Sequence, residues 1–266
     1  MTGRWLLDPV LIGGLVTLAL VYALLTGPLR HRLAPGTPYP RRKARFFYAA
    51  ILALYLTEGS PLHDFAEVYS FSAHMLQHML LSYLAPSLML RGLPDWVLRP
   101  LLLHPRVKPV AKVLTHPVVA FSVFSLFFSL WHIPVIYEGA LRNPALHHLE
   151  HVLFFIAALM LWWPLLSPLP ELPRLSYAGA LVYLFVLPIA QLPVFAAVTF
   201  ADHAIYPTYA SVPHHPFGDA HADQVFGGAL MKVGGLFTFG LPFILTFFAW
   251  YRQDNPSHYR RRASTP

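Results

Sequence analysis

Long apolar stretches, separated by short polar or basic segments, run the length of this chain. Seven of them approach or exceed the roughly 20 residues that a helix needs to cross a bilayer: 9–29, 46–62, 68–90, 117–137, 146–166, 177–200 and 223–251. The second is short, and the seventh is long enough to tilt. His74, Gln77 and His78 interrupt the third, and Lys232 lies in the seventh. Polar groups within a lipid-spanning segment are costly, so these side chains are expected to face the interior of a bundle. Pro86, Pro134, Pro164, Pro188 and Pro193 are expected to mark kinks where other groups satisfy freed carbonyls. The first apolar run has no small-residue cleavage pattern after it and reads as a retained first helix. The predicted fold is all-α: a single polytopic transmembrane domain over 1–266 with about seven spanning helices, closed by a short basic tail over 252–266.

Composition fits this reading. Hydrophobic residues make up 56% of the chain and charged residues 12%, where soluble domains carry about 25% charged residues. Such a chain cannot cover itself with polar surface, so membrane lipid is its expected surrounding. It has no cysteine, which excludes a disulfide framework, thiolate catalysis, iron–sulfur clusters and thiolate metal sites. The net charge of +7 is scattered over several loops, which argues against nucleic acid as a partner. Sorted by alternate loops, sixteen Lys and Arg fall on one side, and only Arg4 and Arg142 fall on the other. That asymmetry predicts an outer N-terminus and a cytoplasmic C-terminus. Residues 94–116 read as an interfacial segment, and Trp162-Trp163 as part of an aromatic belt.

The same topology sorts the fifteen histidines. His31, His104, His116 and His258 fall on the cytoplasmic side. The other eleven fall in outer loops or outer helix halves: His63, His74, His78, His132, His147, His148, His151, His203, His214, His215 and His221. His74 and His78 are four apart and share a helix face, with Met75 and Met79 on a neighbouring stripe. In the fifth span His148 and His151 share a face, as do His147 and His151. His132 closes the fourth span, while Asp223 and Met231 lie in the seventh. Imidazole suits several transition metals and thioether favours Cu(I), so copper is the expected ion and zinc the alternative. Gln77, Glu150 or Asp223 could orient the imidazoles. A single His in a bundle is more often a hydrogen-bonded structural group, and the methionines are more often packing. The His74/His78 pair is what tips the reading toward a site.

These words, in this order, resemble the seven-span bacterial type of the CtaG family of cytochrome c oxidase assembly factors. The resemblance runs from about Phe71 to Gly235. It rests on His74-Met75-Leu76-Gln77-His78-Met79-Leu80-Leu81, Ala85-Pro86, Gly92-Leu93-Pro94, Trp131-His132-Ile133-Pro134 with Tyr137, His148-Leu149-Glu150-His151, Trp162-Trp163-Pro164, and Asp223-Gln224 with Met231. It implies maturation of a haem–copper oxidase with copper supply in the bacterial inner membrane. It nominates His74, His78, His132, His148, His151, Asp223 and Met231 for the metal-binding core. Oxidase subunits are the implied partners, and a copper chaperone on the outer side is a candidate one. Lys232 departs from the family pattern, which has an aromatic residue there. No catalytic residue is assigned. The alternatives are a membrane-embedded zinc hydrolase built on Ser70, His74 and Asp223 with the His147/His151 pair, a haem-binding protein, and a copper exporter, whose path would need ligands that the inner helix halves lack.

Overall fold

The computed structural model describes residues 5–213, 215 and 218–255. His214, His258 and residues 256–266 of the expected tail lie outside them. Among the described residues the ordered elements are helical, apart from an isolated bridge between His215 and Gly218. They are α1 (Pro9–Thr26), α2 (Arg30–Leu33), α3 (Arg41–Glu58), α4 (Pro61–Val68), α5 (Phe71–Met79), a π-helical turn (Leu80–Leu84), α6 (Ala85–Gly92), α7 (Asp95–Leu102), α8 (Lys108–Leu114), α9 (Pro117–Trp131), α10 (Pro134–Arg142), α11 (Pro144–Leu166), α12 (Tyr177–Ala190), α13 (Leu192–Thr199), α14 (Pro207–Ala210) and α15 (Ala220–Asp254).

By length and composition, four segments can cross a membrane: α1, α11, α12 with α13, and α15. The pair α8 and α9, bent by 65°, would supply a fifth. The second and third expected spans are divided differently from the expectation. Gly59 ends α3, so the run to residue 62 becomes α3 plus a separate α4 that starts at Ser60 and Pro61. The third contains the π turn. Pro86 lacks an N–H, so the carbonyl of Ser82, four residues earlier, loses its helical donor. The Trp162 Nε1–H fills that vacancy at 3.1 Å. Trp163 Nε1 likewise donates to the Leu172 carbonyl at 3.2 Å, and both rings are buried. Trp162 therefore ties α11 to the π turn, and Trp163 ties α11 to the segment that follows it, in place of the expected interfacial belt.

Caps set the helix starts. Asp8, Ser60, Ser70, Asn143, Ser176 and Asp219 each accept a backbone N–H from the first turn that follows. The expected fourth span stops at Trp131. His132 and Ile133 are extruded before Pro134 starts α10, because a residue preceding proline is driven out of the helical region. The sixth breaks at Gln191, two residues ahead of Pro193, which lacks the N–H that would continue the helix. The 94–116 segment forms two short helices, α7 and α8. Packing runs α3 against α6, α5 against α15, α9 against α11, and α15 against α12 and α13. Tyr22 of α1 stacks on Phe47 with ring centres 3.8 Å apart and donates its hydroxyl to the Gly92 carbonyl at 3.0 Å. Gly92 is required there: a Cβ would lie 2.5 Å from the Phe47 backbone nitrogen. α4 packs against α5, and its His63 lies against His147 at the start of α11, with ring centres 6.3 Å apart.

A buried histidine and carboxylate cluster

His74 and His78 sit one turn apart on α5, both buried, with their Nε2 atoms 2.7 Å apart. His151 of α11 completes the group, and one ligand atom from each of the three lies within 4.8 Å of the others. Their partners determine which lone pairs face inward. Tyr209 donates its hydroxyl to the Ala66 carbonyl at 2.9 Å, so toward His74 Nδ1, 3.3 Å away, it must accept. His74 therefore carries its proton on Nδ1 and presents the Nε2 lone pair. His151 Nδ1 donates to Glu58 Oε2 at 2.8 Å, leaving a buried Nε2 with no hydrogen-bond partner. His78 Nδ1 is likewise buried and unpartnered. The 2.7 Å separation of the Nε2 atoms is a hydrogen-bond distance, so His74 and His78 share one proton here. A cation would displace that proton and push the rings apart.

This set of donors fits a transition metal ion. Three imidazoles, two of them with Nδ1 engaged by a tyrosine or a carboxylate, match the usual surroundings of metal-binding histidines. Around them lies a layer of acids and imidazoles. Glu150 Oε1 is 3.6 Å from His78 Nε2, and Glu150 Oε2 is 3.4 Å from His147 Nδ1. Glu67 Oε1 lies between His63 Nε2 at 2.7 Å and His147 Nε2 at 2.8 Å. Gln77 donates to the Thr57 carbonyl at 3.1 Å and faces His63 Nδ1 at 2.8 Å. Glu67 and His63 belong to α4, between the second and third expected spans. Burial pushes the Glu67 carboxyl up, but hydrogen bonds and charge from His147 and His63 outweigh it and hold it below the usual carboxylate range. Burial pushes His63 down, and the Glu67 and Glu58 carboxylates more than offset this, so its net shift is upward.

A second group lies beside the first. His132 gives its Nδ1 proton to the Phe128 carbonyl at 2.6 Å, so its Nε2 lone pair faces the Met75 sulfur at 3.4 Å with no hydrogen between them. Met75, Met79, Met231, His78 and His132 share the lining of one small cavity.

Of the residues expected from the sequence, the structure brings together His74, His78 and His151, with His132 and Met231 adjoining. It does not bring in His148, which is exposed, since the neighbouring His147 takes the inward position. Asp223 is fully buried but faces the start of α5. It accepts from Ser70 Oγ at 3.0 Å, Ser72 Oγ at 2.5 Å and the Phe71 backbone N–H at 2.7 Å. Its role is to fix the helix that carries His74 and His78. Lys232 lies over the Phe195 ring, its nitrogen 5.9 Å from the ring centre. The sequence reading passed over Glu58 and Glu67. The signal available was a carboxylate in or beside an apolar run: Glu58 lies within the second expected span and Glu67 directly precedes the third.

Fold and site together define a helical protein with several helices long and apolar enough to cross a membrane and a buried three-histidine cluster backed by carboxylates. The pattern of the cytochrome c oxidase caa3 assembly factor (Caa3_CtaG) family matches residues 20–253, and the chain belongs to that family. Uncharacterized proteins of Mycobacterium bovis and Mycobacterium tuberculosis are each 27% identical to it over 275 residues, covering 94% of this chain and 40% of theirs. An uncharacterized Mycobacterium leprae protein is 25% identical with the same coverage. The chain thus spans two fifths of the length of the curated relatives it matches. No solved structure matches it.

Proposed function

We propose that this protein carries copper as cargo for the maturation of a haem–copper oxidase, holding the ion with His74, His78 and His151. The observation that carries the reading is the buried triad, in which Tyr209 and Glu58 turn lone pairs of His74 and His151 inward. The thioethers of Met75, Met79 and Met231 beside it favour Cu(I) over harder ions. In this reading the chain spans the bacterial inner membrane seven times with its N-terminus outside. α3 and the α5–α6 segment add two spans to the apolar ones, despite their polar residues, by burying those residues in the bundle. The cluster then lies toward the outer face, where a copper chaperone could load it and oxidase subunits could receive the ion.

The zinc-hydrolase alternative has less support. Ser70 Oγ is bound to Asp223 and also accepts the Ala73 N–H as a helix cap, so it is not poised as a nucleophile. The deciding experiment is a titration of the purified protein with Cu(I) against a chromophoric chelator, alongside His74→Ala/His78→Ala. Stoichiometric copper in the native protein and none in the inserted, folded variant is the expected result. Zinc retained in preference to copper would favour the hydrolase, a Soret band would favour haem, and no bound metal would overturn the copper reading.

A further inference from the structure

At the opposite end of the bundle, four cations from three separate regions converge on one cavity of about 420 Å³. Arg42 and Lys43 come from the first turn of α3, Arg91 from the last turn of α6, and Arg174 from the segment after α11. The distance from His151 to this end is about 20 Å along α11 at 1.5 Å per residue. The arrangement is electrostatically unfavourable as it stands. The start of a helix carries partial positive charge and favours anions, yet α3 opens on Arg41, Arg42 and Lys43 with no acidic residue in its first turn and no side-chain cap. Asp95 and Glu171, the acids on the neighbouring segments, are both paired with Arg99. Among the described residues no carboxylate forms an ion pair with any of the four cations. Lys43 is held in place by the Leu93 carbonyl at 3.0 Å, and Arg174 by the Ser167 carbonyl at 2.8 Å. These bonds orient the two charges without neutralising them.

The cavity continues into a second one of about 440 Å³ that shares Arg91, Leu166 and Arg174. Its remaining wall is mainly apolar, with Trp162, Leu184, Pro242 and Leu245 between α11, α12 and α15. A basic cup opening into an apolar groove at the end of spanning helices is complementary in shape and charge to an anionic phospholipid. The geometry points to a binding site for an anionic phospholipid of the adjacent leaflet, its phosphate among Arg42, Lys43, Arg91 and Arg174 and an acyl chain in the groove. A free anion would need only the cup, and a zwitterionic lipid would gain little from four cations. Basic pockets between membrane helices on the cytoplasmic side are suited to acidic headgroups. The site does not depend on the metal reading.

The test is native mass spectrometry of the full-length protein, delipidated in detergent and supplied with phosphatidylglycerol, chain-matched phosphatidylcholine or inorganic phosphate. Phosphatidylglycerol should stay bound and phosphatidylcholine should not. Arg42→Gln/Arg91→Gln/Arg174→Gln should weaken it by about fivefold for each cation removed. Thr246→Trp, which fills the groove at a half-buried position and leaves every charge in place, should also release the lipid, so the inference does not hang on the folding of the triple variant. Equal retention of the two lipids, no loss in either variant, or displacement of phosphatidylglycerol by inorganic phosphate at matched concentration would overturn it.

Discussion

Substituting Asp223 separates a residue that builds the site from one that binds the ion. Its carboxylate accepts from two serine hydroxyls, from the Phe71 backbone N–H and, at 3.5 Å, from the Ser72 backbone N–H at the start of α5. In Asp223→Asn the amide oxygen can keep the Phe71 N–H, while both serine hydroxyls rotate to accept from the new NH2 group. What is lost is the negative charge at the helix start, about 0.5–1 kcal/mol, and some bond strength. The expected cost is about 1–2 kcal/mol. Asp223→Ala leaves the Phe71 N–H and one serine hydroxyl without an acceptor, since the other hydroxyl can donate across the 3.1 Å Ser70–Ser72 contact; at about 1–3 kcal/mol each, its cost should be about 2 kcal/mol or more and exceed that of the Asn variant. Thermal unfolding in one detergent, followed by the loss of helical ellipticity, would rank the native protein, the Asn variant and the Ala variant in that order. Copper affinity should be nearly native in the Asn variant, because no Asp223 oxygen faces the triad. Equal stability of the Ala and Asn variants would refute the capping role. A folded Asn variant that has lost copper would show Asp223 to be a ligand.

Other expectations follow from the same geometry. His151→Ala should abolish stoichiometric copper binding and His148→Ala should leave it intact, as measured by chelator competition; equal effects would mean that the phase of α11 is wrong. Glu58→Gln should weaken copper by about 10–100-fold by loosening the orientation and basicity of His151, with little change in melting temperature; an unchanged affinity would remove Glu58 from the site. Gly92→Ala should destabilise by about 1–3 kcal/mol, since its Cβ would meet the Phe47 backbone; native stability would contradict that packing. In the metal-free protein, the His63 contribution is full below the ordinary histidine pKa of about 6.5 and is lost as pH rises through its elevated value. The Glu67 contribution is full above the ordinary value of about 4.3 and is lost only as pH falls through its depressed one. Melting temperature should therefore be highest between about pH 4.3 and 6.5 and fall above that range; Glu67→Gln should flatten the profile, and identical profiles would refute the pairing.

Much of the site was legible because polar groups stand out in apolar runs. His74 and His78 needed only the four-residue spacing, and His132 was marked by the Pro134 that ends its helix. The choice between His147 and His148 was not legible. Both pair with His151 on a helical wheel, and the rest of α11 gives no contrast: Phe154 and Leu161 face the core, while Val152 and Ile156 are just as apolar and face outward. Where lipid lies on one side and protein on the other, hydrophobicity loses its power to set the phase of a helix. The small residues Ala157 and Ala158, both buried, were the better guide. Glu58 was hidden for another reason, since its partner His151 lies 93 residues away and only the tertiary fold joins them. The helix breaks at Gly59, Ile133 and Gln191 were written in local chemistry, but hydropathy averaged over long windows runs straight through them.

X-ray absorption at the copper edge bears most directly on the central claim. With one equivalent of Cu(I) bound, the native protein should show imidazole scattering from His74, His78 and His151, and His151→Ala should lose part of that signal together with affinity. An identical imidazole signal in His151→Ala, or a native protein that retains no copper, would contradict the account.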